Sequence, residues 1–326
     1  MSARAALLLA AVLMAAPAAA QSAGVAPLQR ELARIAAAAP GTAGIAAINL
    51  RTGERASVRG DEPFAMASVY KFPIAIRILR RVERGELSLD SVVRVTPLDL
   101  RGGVSPLVTN PRPIRVGELL RLMVSESDNT ASDILLRLAG GAPAVTAELR
   151  RAGINAIRVD RDEAMLAADY YGVRWTRPRS PSRAELDSAL RTVPAATRRA
   201  AARRFPADPR DRATPVAMAE LLARFETGRV LGAPSTHRLR ELMVKTPTGL
   251  ARLRGRLPDG TVVAHKTGTA PSYENVVAAV NDAGIITLPN GDRVAVVVFV
   301  RDARGPLPAA ERTIADAARA VYDHWK

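Results

Sequence analysis

The sequence predicts an α/β (α+β) fold in which an antiparallel sheet, flanked by terminal helices, carries an inserted all-α domain. Three observations support this prediction. Strand-like apolar runs occur near both ends of the chain, the long middle part has apolar residues at helical spacing, and amphipathic segments flank the whole. The 326 residues can bury one large core or two moderate ones.

Helices and strands are predicted along the chain from apolar spacing, prolines and turn residues. Residues 27–39 are predicted to form a helix because a proline stands in the first turn. Residues 42–50 form an apolar strand that ends at the Thr52-Gly53 turn. Helical spacing then appears at 68–83, 116–124 and 129–138. Strand character returns at 261–267, 275–288 and 293–300, with a hairpin turn at 289–291 and a helix at 309–325.

This order predicts a discontinuous arrangement. We expect a leader at 1–20, an α/β domain made of 21–62 and 248–326, and the all-α domain at 63–247. An interface between two such parts is the natural place for a binding site.

The first twenty residues are typical of an export signal. Arg4 precedes an apolar run at 5–16, and Ala18-Ala19-Ala20 fits a small-residue cleavage site before Gln21. A membrane anchor is the alternative, but the run is too short to span a bilayer, and no later segment reaches that length. We therefore expect a periplasmic or secreted protein without a membrane span.

Composition narrows the class of protein further. The chain has no Cys, and its three His show no metal-ligand spacing, which argues against a zinc hydrolase and predicts no metal and no cofactor. The net charge of +15 would suit nucleic-acid binding, but the Arg residues are dispersed and aromatic residues make up only 4%. We expect no nucleic-acid partner. Only four of the 47 basic residues are Lys, namely Lys71, Lys245, Lys266 and Lys326. Because the chain uses Arg for most of its positive charge, each Lys is a candidate for a specific role.

Ser68-Val69-Tyr70-Lys71 opens a predicted helix. Residues three apart share a helix face, so the Lys71 amine can meet the Ser68 hydroxyl and take its proton. The pattern indicates a serine nucleophile, although on its own it also describes an ordinary helix start.

Two further motifs suit the same chemistry. Ser127-Asp128-Asn129 lies between two helical segments, where plain N-capping is the alternative interpretation. Lys266-Thr267-Gly268-Thr269 ends a strand, and its Lys and hydroxyl groups suit an anionic substrate. A strand-end turn with a solvated Lys is the alternative there.

Together these motifs resemble those of the class A serine β-lactamases, within the penicillin-recognising serine hydrolases. The resemblance covers nearly all of the mature length and implies the β-lactamase/DD-peptidase-like fold. It implies Ser68 as the acylated residue, Lys71 as its partner, Ser127 as the proton shuttle and Asn129 as a ligand for the substrate's side-chain amide.

The resemblance also assigns the opposite edge of the site. Lys266, Thr267, Gly268 and Thr269 match the carboxylate-binding strand, and the N–H groups of Ser68 and Thr269 match the oxyanion hole. The expected partner is a small-molecule β-lactam, bound by a monomer.

A fourth motif decides between related activities. Residues 160–166 resemble the family's Ω-loop, expected here at 158–212, with Glu163 as the general base that activates water against the acyl-enzyme. An exposed surface Glu is the alternative interpretation of Glu163. Asp211 matches the acid that pairs with Arg161 to close the loop's neck. The rivals are a D-alanyl-D-alanine peptidase (a penicillin-binding protein) and a β-lactam sensor that stays acylated; Glu163 argues against both.

Other positions suggest a subgroup of extended-spectrum enzymes. Asp133 stands where most class A members have Asn, and Arg252 matches an alternative Arg for the substrate carboxylate, a solvated loop Arg being the other interpretation. Residues 281–291 also resemble that subgroup. Ala167 departs from the usual Asn beside the hydrolytic water, which keeps the sensor open as an alternative, and Val104 replaces a rim aromatic.

The largest departure is an insertion at about 176–210, inside the Ω-loop, with nine Arg and five Pro. Ser182 and Glu185 form a capping-box pattern, and Pro194 can start a second helix. We predict a helical hairpin rather than a disordered segment.

The expected reaction is a metal-free acylation and deacylation. Lys71, or Glu163 through water, takes the Ser68 proton; Ser127 protonates the leaving nitrogen; and Glu163 then drives water onto the ester.

Overall fold

The computed structural model describes residues 18–103, 105 and 111–326, with side chains from residue 24 onward. The predictions about Arg4 and residues 5–16 of the leader, and about Val104 at the rim, lie outside the described residues. Throughout the described ranges, no helix is long and apolar enough to cross a membrane.

The described residues form ten strands: β1 (Thr42–Asn49), β2 (Arg55–Val58), β3 (Phe64–Ala65), β4 (Val92–Arg94), β5 (Pro113–Arg115), β6 (Arg212–Ala213), β7 (Val263–Thr269), β8 (Ser272–Tyr273), β9 (Val276–Thr287) and β10 (Arg293–Arg304). One antiparallel sheet has the order β2-β1-β10-β9-β7, with β8 beside β9. Because β1 pairs with β10 along its whole length, the two ends of the sequence share one sheet. This pairing agrees with a discontinuous α/β domain, whose boundaries at 62 and 248 stay predictions.

The same residues form eleven α-helices: α1 (Ala18–Ala37), α2 (Lys71–Glu83), α3 (Val116–Ser125), α4 (Asn129–Leu138), α5 (Ala142–Arg151), α6 (Glu163–Tyr171), α7 (Arg183–Leu190), α8 (Ala195–Arg204), α9 (Pro215–Glu226), α10 (Ala233–Val244) and α11 (Leu307–Trp325). The terminal helices α1 and α11 pack together on one face of the sheet, and α9 covers the other face.

Alternation along β10 explains why the sheet is covered on both faces. Val294, Val296 and Val298 belong to the core under the terminal helices, whereas Val297 and Phe299 belong to the core shared with the helical part. A period of two sends neighbouring side chains to opposite faces, and both faces of this strand are apolar. The strand therefore lies between two hydrophobic cores.

The inserted part is helical, as the predicted fold class requires, and it also contains short strands. Two short antiparallel pairs lie within it: β3 with β6 and β4 with β5. Strands of two or three residues are too short to show a period of two, so their pattern could not be recognised in the sequence. The β3–β6 pair places the start of the serine motif beside the end of the Ω-loop.

The insertion forms the two predicted helices, α7 and α8, which are joined by residues 191–194 and each pack against α6; we call this segment the hairpin. Ser182 and Glu185 form the capping box at the start of α7, and Pro194 is the N-cap of α8. The turn at 289–291 is also confirmed, with Gly291 at φ +84° between β9 and β10.

Candidate active site

The Ser68 turn is held between the sheet and the helical part. A 3-10 turn at Ala67–Tyr70 leads directly into α2, so the α-helix starts at Lys71, later than predicted. Ala67 has the left-handed φ of +46°, a conformation that persists only where the surroundings enforce it. Asn281 on β9 donates from Nδ2 to the carbonyls of Ala65 and Met66, at 2.8 and 3.0 Å. These bonds fix the backbone immediately before Ser68.

Gly268 brings strand β7 against this turn. A Cβ at Gly268 would lie 2.7 Å from the Met66 carbonyl oxygen and 3.0 Å from the backbone nitrogen of Ser68. Only a residue without a side chain fits this approach. The close approach places Thr269, the next residue, beside the Ser68 turn, as an oxyanion hole built from their two N–H groups requires.

Lys71 is fully buried at the centre of the site. Its Nζ donates to the Ser127 carbonyl and to Asn129 Oδ1, both at 2.6 Å, and lies 3.0 Å from Glu163 Oε1. Three of the sequence-predicted residues therefore converge on one amine. A buried Lys with such contacts is positioned to exchange protons.

Ser127 stands between two amines. Lys266 Nζ donates to Ser127 Oγ at 2.9 Å, and Lys71 Nζ lies 3.4 Å from the same oxygen. Ser127 adopts a left-handed φ of +59°, which aims its hydroxyl into the site. Burial, followed by the positive charge of Lys71, holds the pKa of Lys266 well below its ordinary value. The hydroxyl can thus receive a proton from an amine and pass it to a substrate atom.

The remaining member of this motif has the structural role that the sequence left open. Asp128 is the N-cap of α4 and accepts the Ala131 N–H at 2.8 Å. N-capping by Asp128 is therefore compatible with the site roles expected of its neighbours Ser127 and Asn129.

Glu163 is the first residue of the Ω-loop helix α6. Its Oε1 is buried and makes no hydrogen bond within the described residues, although Lys71 is near. A buried carboxylate oxygen with free acceptor capacity suits the binding of a water molecule.

Asp133 holds the start of this helix. Its Oδ1 accepts the Glu163 N–H at 2.8 Å, its Oδ2 accepts the Ala164 N–H at 3.3 Å, and Arg101 Nε donates to Oδ2 at 2.5 Å. Burial, with the charge of Asp162 next, raises the pKa of Asp133 to about 7 against the opposing effect of Arg101. Asp133 is a positioning residue for the proposed base.

The neck of the Ω-loop closes as predicted. Arg161 Nε pairs with Asp211 Oδ2 at 2.6 Å in a buried contact. Asp160 and Asp211 also accept each other's backbone N–H, at 2.7 and 2.8 Å. The two ends of the loop are therefore joined by charge and by backbone bonds.

The insertion takes part in this neck. Arg161 Nη1 contacts Asp208 at 2.9 Å and Asp169 at 2.6 Å, and Arg210 contacts both acids. Burial of Asp208 opposes ionisation, but hydrogen bonds from Arg210 and the charge of Arg161 lower its pKa to about 2. The hairpin is thus bonded to the loop that carries Glu163.

Packing joins the hairpin to α6 as well. A Cβ at Gly172 would lie 3.1 Å from Ala201 Cβ on α8, and the Tyr170 and Phe205 rings meet edge to face at 5.4 Å. Ala167, the departure beside the expected hydrolytic water, lines the cavity in front of Ser68.

Arg252 is buried, which rules out the solvated loop interpretation. Its guanidinium donates to Thr269 Oγ1 at 2.7 Å and to the carbonyls of Gly268 and Asn281, and it pairs with Glu311. Arg252 therefore contacts the strand that flanks the site, and it would act on a bound ligand through Thr269.

Thr267 completes the β7 edge. Its hydroxyl shares a 2.7 Å hydrogen bond with Thr248, and Lys266 Nζ donates to its carbonyl at 2.9 Å. These bonds orient the edge that the sequence assigns to an anionic group.

Sequence reasoning missed two supporting residues. Arg101 belongs to a chain rich in Arg and carries no distinguishing pattern, and Asn281 appeared only as part of a longer run. The adjacent polar residues Asn281 and Asp282, inside a strand that is apolar on both sides of them, are a signal that could have identified Asn281. Among the residues with described side chains, no three His, Asp or Glu could together hold a metal ion.

Comparisons with known proteins identify a family model, relatives and solved structures that are similar to most of the chain. Residues 27–325 match the family model described as the β-lactamase enzyme family. The chain is 30% identical to the β-lactamase VEB-1 of Pseudomonas aeruginosa over 86% of its length and 85% of that protein. It is 33% identical to the extended-spectrum β-lactamase PER-1 of the same organism, over 80% and 75%. An ancestral class A β-lactamase (GNCA) superposes with a TM-score of 0.73 at 30% identity, covering 91% of this chain and 99% of the other.

Proposed function

The chain belongs to the class A serine β-lactamases, hydrolases that act on β-lactams, and from this premise we propose that Ser68 is the residue that becomes acylated. The contact network around Lys71 carries the proposal. Its buried amine lies 3.0 Å from Glu163 Oε1 and 3.4 Å from the Ser127 hydroxyl, and it donates to the Ser127 carbonyl and to Asn129 Oδ1 at 2.6 Å. The groups proposed to transfer protons therefore surround one amine that directly follows the Ser68 turn.

Acylation begins when the Ser68 oxygen attacks the lactam carbonyl. Its proton passes to Lys71, or through a water to Glu163, and the developing oxyanion is held by the N–H groups of Ser68 and Thr269. The C–N bond then breaks, and the lactam nitrogen takes a proton from Ser127, which regains one from Lys71 or Lys266. The product is an ester on Ser68.

Deacylation uses the opposite wall of the site. Glu163 removes a proton from a water molecule, whose oxygen attacks the ester carbonyl, and the proton returns to the Ser68 oxygen as the bond breaks. The free acceptor capacity of Glu163 Oε1 supports this role, and the Asp133 bonds to the backbone hold the base in place.

The substrate is oriented by groups at both ends of the cleft. Asn129 takes the side-chain amide, and Lys266, Thr267 and Thr269 take the carboxylate. Arg252 orients this edge through Thr269 and adds positive charge behind it.

We also propose that the enzyme is exported after removal of residues 1–20 and acts as a monomer. The leader composition supports export, and all the proposed site residues come from one chain. Similarity to the extended-spectrum β-lactamase PER-1 supports a broad range of β-lactam substrates, in which we include penicillins and cephalosporins.

A chromogenic cephalosporin and intact-protein mass spectrometry test the proposal. The native enzyme should turn over continuously, Ser68→Ala should neither turn over nor gain the mass of a penicillin, and Glu163→Ala should gain that mass and keep it. Ser91→Ala, at an exposed serine, and Glu241→Ala, at an exposed glutamate on α10, are matched controls that should behave like the native enzyme. A penicilloyl adduct on Ser68→Ala, or unchanged turnover by Glu163→Ala, would contradict the assignment.

A further inference from the structure

The candidate active site opens into a cavity of about 500 Å³ that reaches the insertion. Ser68, Asn129 and Thr269 line this cavity. Residues of the insertion line it as well, among them Pro181, Arg183, Leu186, Asp187 and Leu190. Helix α7 is therefore a wall of the same cavity.

Leu186 and Leu190 face this cavity. They are four residues apart and share one face of α7, a helix with no fully buried residue. Neither leucine belongs to a hydrophobic core of the described chain, and both remain half-buried. Apolar side chains that line a cavity instead of a core are typical of a ligand site.

Helix α7 is fixed in this position from both ends of the hairpin. The Arg183 N–H donates to the Leu100 carbonyl at 2.8 Å, which joins α7 to the loop across the cleft. At the other side, Arg203 on α8 pairs with Glu274 beyond β8 at 3.0 Å. The hairpin thus spans the cleft between its two sides.

The Ω-loop helix α6, which packs against α7, also lines this cavity. Leu166 and Tyr171 of α6 line the cavity, and Tyr171 is 38% exposed. The small Ala167 between them leaves the space open. We call the group Leu166, Tyr171, Leu186 and Leu190 the apolar subsite.

The chemistry of the substrate directs one group toward this subsite. In the proposed reaction the ring nitrogen lies at Ser127, and the carboxylate lies at Lys266, Thr267 and Thr269. Of these four residues only Thr269 lines the cavity. The acylamino side chain is attached to the carbon on the other side of the lactam carbonyl. It therefore passes Asn129 and points away from the two lysines, into the cavity.

We propose that the apolar subsite, half of it built by the insertion helix α7, binds the aromatic or extended apolar end of the substrate's acyl side chain. This inference rests on the proposed function and assigns the insertion a direct part in substrate selection. Leu186 and Leu190 are then specificity-determining residues.

A matched pair of penicillins tests the inference. One carries a phenylacetyl side chain and the other an acetyl side chain, so both keep the amide and differ only in the phenyl ring. In the full-length Leu186→Gln/Leu190→Gln variant, kcat/KM should fall about tenfold for the phenylacetyl compound, as expected from the loss of about 50 Å² of apolar contact. It should stay within about twofold for the acetyl compound.

Gln keeps helix propensity, and Leu186→Ala/Leu190→Ala is the alternative pair if thermal melting shows that the first variant is unfolded. Leu307→Gln, at an exposed leucine that begins α11, is the control. An equal loss for both penicillins, or no loss for the phenylacetyl compound, would overturn the inference. If the native enzyme hydrolysed neither penicillin, the proposed function itself would fail, which is a different result.

Discussion

Replacing Gly268 by Ala tests how tightly the oxyanion hole depends on the contact between β7 and the Ser68 turn. The added Cβ would lie 2.7 Å from the Met66 oxygen and 3.0 Å from the Ser68 and Val69 nitrogens. Carbon atoms ordinarily stay at least about 3.4 Å from such atoms, so the backbones must separate by about 0.7 Å. All three atoms are backbone atoms and cannot rotate away.

Displacement of an oxyanion donor should lower kcat. Oxyanion donors act at 2.7 to 3.1 Å, and the loss of one donor costs about 10² to 10³ in kcat. A shift of about 0.7 Å between the Ser68 and Thr269 N–H groups should therefore lower kcat by about 100-fold, with a smaller change in KM. Overpacking should also reduce the free energy of unfolding by about 1–3 kcal/mol.

Stopped-flow acylation by a chromogenic cephalosporin measures the first effect, and urea unfolding measures the second. Gly24→Ala is the control, because its added Cβ meets only the flexible Glu54 side chain at 3.0 Å. An acylation rate within about twofold of the native value would refute the reasoning, since the clash would then be absorbed without moving the donors.

Three further predictions concern the supports of the site. Arg252→Ala should raise KM for several β-lactams by about tenfold and change kcat less, because the lost contact orients Thr269 for binding; unchanged KM would remove Arg252 from the site. The pKa of Asp133 is raised to about 7 in the folded protein. Between about pH 4 and 7 the folded protein therefore keeps a proton on Asp133 that the unfolded chain has released, so the free energy of unfolding falls as pH rises through this range. Between pH 5 and 7 this loss should be about 2 kcal/mol by urea unfolding and should disappear in Asp133→Asn; equal slopes would mean that Arg101 keeps Asp133 ionised. Replacing residues 176–207 with a Gly-Ser linker keeps Asp208 and should slow deacylation more than acylation in stopped-flow traces. Equal slowing of the two steps would mean that the insertion only supports the fold.

The sequence was informative where chemistry restricts residue type. Lys71 and Lys266 stood out because the chain otherwise uses Arg for positive charge, and both contact Ser127 in the structure. The hairpin of the insertion was also predictable, because a capping box and a proline are local signals that need no tertiary context.

Contacts between distant segments were not predictable in the same way. The hydrogen bond from the Arg183 N–H to the Leu100 carbonyl joins two backbone groups, so the residue types at these positions do not reveal it. Arg101 is one Arg among many, and only folding distinguishes it by burying it against Asp133. Arg252 lies behind Thr269 because its own loop, strand β7 and helix α11 meet there, and the spacing of residues in the sequence cannot predict such a meeting.

The reciprocal hydrogen bonds between Asp160 and Asp211 create a place where the chain can tolerate insertions. They hold the two ends of the Ω-loop together whatever lies between them, so extra residues enter a loop that is already closed. The entropy of closing such a loop rises only logarithmically, by about 0.6 kcal/mol for each doubling of length. This junction is therefore a graft point, where segments of very different length can be exchanged while the neck stays shut. A binding peptide or reporter domain spliced between Trp175 and Asp208 would emerge beside the reacting serine, and its state would be reported by the rate at which the ester is released.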